Sequence, residues 1–568
     1  MRRIVLSLLV LVLPLLAACS TTGGAVNPPG PSTESQESAE IEAARSVTRT
    51  AVLLAINDVY RIEGVENGTA GGLARVRTLR AQLEREYPDL LVLHGGDFLF
   101  PSFASRMYQG EQMIAVLDDL DGEPVAFDER MFAVIGNHEL EQKKKEDAAL
   151  LDARVQESQF HWLDGNVIFS RGENGAALVG APNLTRTALI DSGNIRIGLF
   201  GITLPVAQVG YVERFDDPIA TARKLTADLR EQGAEVVVAL THQNAVDDRR
   251  LLETLGADGP DLIVGGHDHE RMAFQAAGRW VLKADADART ATVIHLTLPP
   301  HGKLAVSYEH RPLDSTVMPD PEVQSLVDQW QTKHEQAFCA QAGDAPDCLE
   351  TVYGHARTEL EAEETKIRRR ETSLGDWVTD RMRETFASCG AQVAFLNSGT
   401  LRLNQDLAAG SEVRRRHTEE LIGYPTPLHL IRIDGATLQK VVDHALQGWP
   451  GAGNWLQISG FAWAHDTTTN KASRLTLLGP DGPRAVRPDE TILAVTNDYL
   501  ATGQDGYTML SPGQVVADCP QDNAELKTLL VSGLQAAEPQ GIAPQVEGRI
   551  CETGTGKTTP AEACLAAP

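Results

Sequence analysis

Five short apolar runs along the chain each end in a side chain able to bind metal. They are AVLLAIND closing at Asp58, LLVLHGGD at Asp97, MFAVIGNHE with Asn137 and His138, EVVVALTH at His242, and DLIVGGHDH with His267 and His269. Apolar runs of this length, bounded by Gly and polar residues, predict strands buried on both faces of a layered sheet. Segments of helical period lie among them. GGLARVRTLRAQLEREYP places Leu73, Val76, Leu79 and Leu83 on one face and is stopped by Pro88. DPIATARKLTADLREQG turns Ile219, Ala222, Leu225 and Leu229 inward and stops at Gly233. IRIGLFGIT at 195–203 ends without ligands and reads as a core strand. This alternation predicts an α/β domain over residues 50–312. Beyond Pro299-Pro300, PEVQSLVDQWQTKHEQAF carries Val323, Leu326, Trp330 and Phe338 along one side, which predicts a connector helix within 313–351. Residues 352–550 return to mixed strands and helices, with Leu438, Val441, Val442 and Ala445 as the apolar face of one helix. Residues 551–568 read as a tail.

Composition adds compartment and excludes one class of partner. Arg2 and Arg3 precede the apolar run IVLSLLVLVLPLLAA, which has signal-peptide length and flanks over residues 1–18. Leu16-Ala17-Ala18-Cys19 looks like a bacterial lipobox, implying cleavage before Cys19 and its lipidation; an ordinary secretory signal is the alternative. Ser20 in that position points to outer-membrane sorting, facing the periplasm of a Gram-negative cell. Residues 19–49, rich in Ser, Thr, Gly, Pro and Glu, form a flexible tether in this reading. Six further cysteines fit disulfides in an oxidising compartment, with about 15 connectivities open and Cys339–Cys348 favoured as a short loop closure. No CxxC pair is present, which argues against a cysteine metal site. The formal charge of −27 disfavours nucleic acid polymers. RRR at 368–370 and RRRH at 414–417 are the basic clusters of note, each by default a solvated face.

In open α/β sheets ligands bind beyond the carboxyl ends of the strands, so the five tips can converge. Two carboxylates, an amide oxygen and three imidazoles suit two divalent metals sharing a bridging carboxylate. The series of Asp58, Gly96-Asp97, Gly136-Asn137-His138, His242 and Gly266-His267-Asp268-His269 resembles the calcineurin-like metallophosphoesterases. Motifs of the second half narrow the resemblance to the bacterial and animal 5'-nucleotidase family. It implies an N-terminal four-layer α/β/β/α domain followed by a mixed α/β C-terminal domain. Asp97 would bridge two ions, with Asp58 and His269 completing one site and Asn137, His242 and His267 the other. The ions would be zinc, manganese, cobalt or iron, activating a water or hydroxide for in-line attack on phosphorus. His138 would face the scissile phosphate, paired with Glu141 where relatives have Asp. Tyr60 stands where most relatives have His, and three readings stay open: coordination, room for a water, or a preference for iron. His94 is a candidate support for the metal ligands.

In the C-terminal half, IRRRETSLGDWVTDRM at 367–382, NSGTLR at 397–402, GYPTPL at 423–428 and TNDYLATGQDGY at 496–507 are similar to the family's substrate segments. By that resemblance Arg368 and Arg402 contact phosphate, Tyr424 and Tyr499 sandwich a base, and Asn397 and Asp505 hydrogen-bond base or ribose. Arg370 and Glu371 read alternatively as a buried pair. Planar guanidinium forks suit phosphate oxygens, and aromatic faces bind bases with little regard to their edges. The function implied is an exported, lipid-anchored phosphohydrolase acting on small 5'-nucleotides. The alternatives are a hydrolase of UDP-sugars, 2',3'-cyclic nucleotides or a thioester-like sulfonate, and a nucleotide-binding lipoprotein with weakened catalysis.

Overall fold

Two sheets face one another in the N-terminal half, and their arrangement explains the unbroken apolar runs. The first has seven strands in the order Ala305–Pro312, Thr290–Leu298, Arg49–Ile56, Leu91–His94, Asp128–Val134, Phe160–Leu163 and Leu184–Thr185. The second has six, in the order Met272–Ala276, Arg279–Lys283, Leu262–Gly265, Val236–His242, Ile195–Thr203 and Thr187–Ser192. Successive side chains on a strand point to opposite faces. Thus Ala51, Leu53 and Ala55 meet Val236, Val238 and Leu240 between the sheets. Val52, Leu54 and Ile56 instead meet Leu73, Val76, Leu79 and Leu83 of the helix Leu73–Glu86. Helices Pro218–Glu231 and Ala245–Leu255 cover the outer face of the second sheet through Ala222, Leu225, Leu229 and Leu251. The result is the expected α/β/β/α stack. The computed structural model describes residues 47–123, 125–300, 302–554 and 564–565, so the leader, Cys19 and most of the tether lie outside the described residues.

The helix Pro321–Ala342 packs on the N-terminal half rather than standing free between domains. Val323 and Val327 enter the core beneath Leu73–Glu86, with Leu326 and Trp330 half-buried beside them. Phe338 lies against Phe103 and the Cys339–Cys348 disulfide. The C-terminal half has a five-stranded sheet, ordered Leu456–Ser459, Val393–Asn397, Thr491–Asn497, Pro427–Asp434 and Ala524–Glu525. Helices Ser373–Thr385 and Leu526–Ala536 cover one face and Gly435–Ala445 the other. The tail boundary after residue 550 is corrected: Ile550–Thr553 is a strand running parallel to Phe461–Asp466, with Ile550 and Cys551 buried. Cys389–Cys519 and Cys551–Cys564 complete three disulfides. No helix among the described residues is long and apolar enough to cross a membrane.

Candidate active site

The strands Arg49–Ile56, Leu91–His94 and Asp128–Val134 run parallel, as do Val236–His242 and Leu262–Gly265, so the predicted ligands leave each sheet at the same end. The two sets of tips meet across the sheets. His242 Nε2 lies 3.1 Å from both Asp97 Oδ2 and Asn137 Oδ1, and His267 Nδ1 lies 3.0 Å from Asn137 Oδ1. His269 Nε2 stands 3.4 Å from Asp58 Oδ1. Tyr60 joins the groups, its hydroxyl 2.9 Å from His269 Nε2 and 3.3 Å from Asp97 Oδ2. All six predicted metal ligands are therefore brought together, with Asp97 between two clusters.

Each carboxylate spends one oxygen on the backbone and keeps the other for the site. Asp97 Oδ1 accepts the His138 N–H at 2.8 Å, and Asp58 Oδ2 accepts the His267 N–H at 2.9 Å. Asp58 Oδ1 is fully buried without a hydrogen-bond partner. With only the His269 ring, 3.4 Å away, to face it, this buried carboxylate oxygen is costly unless a cation meets it, so the donor set fits divalent metal. Electrostatics agree. Burial opposes a charged imidazole at His242, yet the Asp97 and Asp58 carboxylates overcome it and raise the group to about 9. That concentrated negative field is one a metal ion satisfies in place of the proton. The backbone is bent to serve it: Asp58, Asp97, His267 and His269 have φ of 51°, 58°, 83° and 62°. Left-handed non-glycine residues cost roughly 1–2 kcal/mol each and gather at functional sites. A Cβ on Gly136 would stand 2.1 Å from Asp97 Oδ1, so only glycine fits that turn.

The C-terminal candidates open into the same space. Arg368, Asn397, Arg402, Tyr424, Tyr499 and Asp505 line one cavity of about 900 Å³ together with Asp97, Asn137, His138, His267 and His269. Tyr424 and Tyr499 are half-exposed in it. Asn397 is buried and its amide oxygen accepts from Thr400 Oγ1 at 2.7 Å and Asn497 Nδ2 at 3.1 Å. His138 Nδ1 donates to Glu141 Oε2 at 2.7 Å, which leaves Nε2 for the cavity.

Residues 51–271 match the family model described as calcineurin-like phosphoesterase, and residues 352–512 match the 5'-nucleotidase C-terminal domain. The chain belongs to the two-domain 5'-nucleotidase family of metal-dependent phosphoesterases. Among its relatives, the 5'-nucleotidase of Homo sapiens is 21% identical over 84% of this chain and 85% of its own length. An apyrase of Anopheles gambiae is 24% identical over 80% of each. The fold matches the crystal structure of a 5'-nucleotidase precursor from Thermus thermophilus with a TM-score of 0.71 and 22% identity, covering 90% of this chain and all of that one. It also matches the sulfate thiohydrolase SoxB of a Thermus species, with a TM-score of 0.66 at 16% identity over 90% and 98% of the two chains.

Within this family frame, four buried residues that the sequence reading passed over support the ligands. Glu139 accepts the N–H groups of Asp97, Phe98, Leu99 and Gly136 at 2.7–3.0 Å, tying two tip loops together. His242 is aimed by the Gly95 carbonyl, to which Nδ1 donates at 2.7 Å. Glu364, from the C-terminal half, accepts from His269 Nδ1 at 2.7 Å and from Arg368 Nη2 at 2.9 Å. Lys283 holds the loop bearing His267 and His269 by donating to the Gly266 carbonyl at 2.8 Å and to Asp268 Oδ2 at 2.5 Å. The Gly-His-Asp-His segment hinted at the last, since Asp268 sits between two ligands without being one. His94 is buried and pushed down to about 3 chiefly by burial, and its Nδ1 accepts the Gly96 N–H at 3.2 Å. Burial and the nearby Asp97, Asp58 and Glu364 carboxylates keep the Tyr60 phenol protonated well above the ordinary tyrosine range. The Arg370–Glu371 pair is corrected: Arg370 binds Glu361 at 2.7 Å, whereas Glu371 accepts the N–H groups of Glu547, Gly548 and Ile550.

Proposed function

We propose that this phosphoesterase removes the phosphate from 5'-nucleotides. The observation that carries the reading is the single cavity into which both the metal-ligand tips and the C-terminal arginines and tyrosines open. Asp58, Asp97, Asn137, His242, His267 and His269 would hold divalent ions, which when bound would neutralise phosphate charge and supply Lewis acidity. His138, aimed by Glu141, presents Nε2 to the phosphoryl oxygens or the leaving group. Arg368 and Arg402 offer guanidinium donors to phosphate, and Tyr424 and Tyr499 offer ring faces to the base. Asn397 and Asp505 bond base or ribose. Tyr60 donates its hydroxyl within this ligand cluster.

The test is phosphate release from AMP, UDP-sugar, cyclic nucleotide and p-nitrophenyl phosphate, with manganese, zinc, cobalt or iron added. A kcat/KM at least tenfold higher for AMP than for p-nitrophenyl phosphate is expected. Equal values would refute the nucleotide reading, and AMP binding without metal or turnover would identify a binding protein instead. The reading extends to an exported chain lipid-anchored at Cys19 in the outer membrane, supported by the lipobox and by three disulfides that belong in an oxidising compartment. Incorporation of labelled palmitate that vanishes in Cys19→Ser is expected; equal labelling of both would defeat it.

A further inference from the structure

Glu141 has two carboxylate oxygens, and the structure gives each a different partner. Oε2 accepts from His138 Nδ1 at 2.7 Å; Oε1 accepts the hydroxyl of Tyr424 at 2.6 Å. The second contact crosses between the halves of the chain, joining residues 283 positions apart. Tyr424 sits on the short segment between helix Arg415–Leu421 and strand Pro427–Asp434. That segment is seated from the N-terminal side by Arg106, whose guanidinium donates to the carbonyls of Gly423 and Glu419 and lies 6.0 Å from the Tyr424 ring centre. The arrangement needs two features of this chain together. A carboxylate one methylene shorter than Glu141, on the same backbone, withdraws from one partner or the other. A phenylalanine at 424 keeps the ring and has no donor.

We propose that Tyr424 is a positioning residue for hydrolysis: its hydroxyl braces Glu141 and makes the aim of His138 depend on the seating of the C-terminal half. The inference rests on the phosphoesterase reading of His138 but not on the identity of the substrate. It differs from base stacking, which uses the ring face and leaves the hydroxyl free. A dyad completed only when the C-terminal segment is docked couples catalytic competence to the part of the chain that holds the substrate, so an unseated enzyme leaves His138 less well directed.

The experiment compares wild type, Tyr424→Phe, Glu141→Asp and the double variant on AMP and on p-nitrophenyl phosphate, which has no base. Loss of one hydrogen bond to a carboxylate predicts about a tenfold fall in kcat for Tyr424→Phe on both esters. KM for AMP should stay within about twofold, since the ring remains. In the Glu141→Asp background the same change should alter kcat by less than about twofold, because the shorter carboxylate no longer joins Tyr424 to His138. An unchanged kcat, a loss confined to KM for AMP, or an equal loss in both backgrounds overturns the proposal. Histidine-labelled NMR of the resting protein adds a readout independent of turnover: Tyr424→Phe should move the His138 ring signals, and unmoved signals refute the brace. Wild-type protein that turns over neither ester while its His138 signals respond to Tyr424→Phe would defeat the hydrolase reading and leave the brace standing.

Discussion

Replacing Lys283 by Met should destabilise the protein strongly and loosen one wall of the metal site. The ammonium is 1% exposed and reaches Asp248 Oδ2 at 2.8 Å, Asp268 Oδ2 at 2.5 Å, and the carbonyls of Gln243 and Gly266 at 2.7 and 2.8 Å. Methionine fills similar volume but leaves Asp248, which is fully buried, without its cation. Gln243 Nε2 still donates to Asp248 at 2.9 Å, and Asp268 retains the Ala245 N–H at 3.1 Å and some solvent. Removing one partner of a buried pair costs about 3–5 kcal/mol, nearly all of it here assigned to Asp248. Lys283→Met with Asp248→Asn should recover roughly half, since the stranded charge disappears with its cation. Burial works against the lysine charge, but the two carboxylates overcome it and raise the group above the ordinary lysine range. A raised folded-state lysine stabilises fully below its unfolded value and loses that stability only as pH climbs through the folded value. The lysine itself therefore adds no pH dependence between about pH 6 and 9. The gap between wild type and variant should narrow as pH falls, because protonation relieves the stranded Asp248, whose carboxyl burial already raises. Urea denaturation measures the stability, and elemental analysis should show metal retention weakened by roughly 10–100-fold, as for other residues that orient ligands. A stability change under about 1 kcal/mol, or a double variant no better than the single, would refute this account of the loop.

Asp97→Asn keeps an oxygen in the bridging position but removes its charge. Bound metal should fall below two ions per chain and kcat by about a thousandfold or more, whereas near-normal activity would sink the two-metal site. Cys389–Cys519 closes a loop with a sequence separation of 130, against 9 for Cys339–Cys348. Chain entropy predicts losses of about 5 and 3 kcal/mol when each pair is replaced by serine. Equal urea midpoints for the two paired variants would show that unfolded-chain entropy does not govern them.

What the sequence determined by itself is local and periodic. Runs such as AVLLAI and VVVAL are apolar at every position because each strand is covered on both faces, and a chain with that pattern has few other folds open to it. Asp58, Asp97, Asn137 and His242 each stand at or just beyond the end of a strand, and His267 and His269 follow a fifth, so their convergence could be anticipated from strand direction alone. The helix faces of Leu73–Glu86 and Gly435–Ala445 followed from the same periodicity. Tertiary structure alone decided how these ligands are held and linked to the second half. Glu364 meets His269 across 95 residues and Tyr424 meets Glu141 across 283, and neither pair leaves a periodic trace. The same holds for Lys283 under the Gly266 loop, for Glu139 beneath two tips, and for the pairing of Cys389 with Cys519. The strand Ile550–Thr553 was missed at the tail because its pairing partner lies almost ninety residues earlier. Periodicity reports which face of an element is buried; the partner a polar group finds depends on which loops the packed layers bring within hydrogen-bond reach, and that geometry exists only in the folded chain.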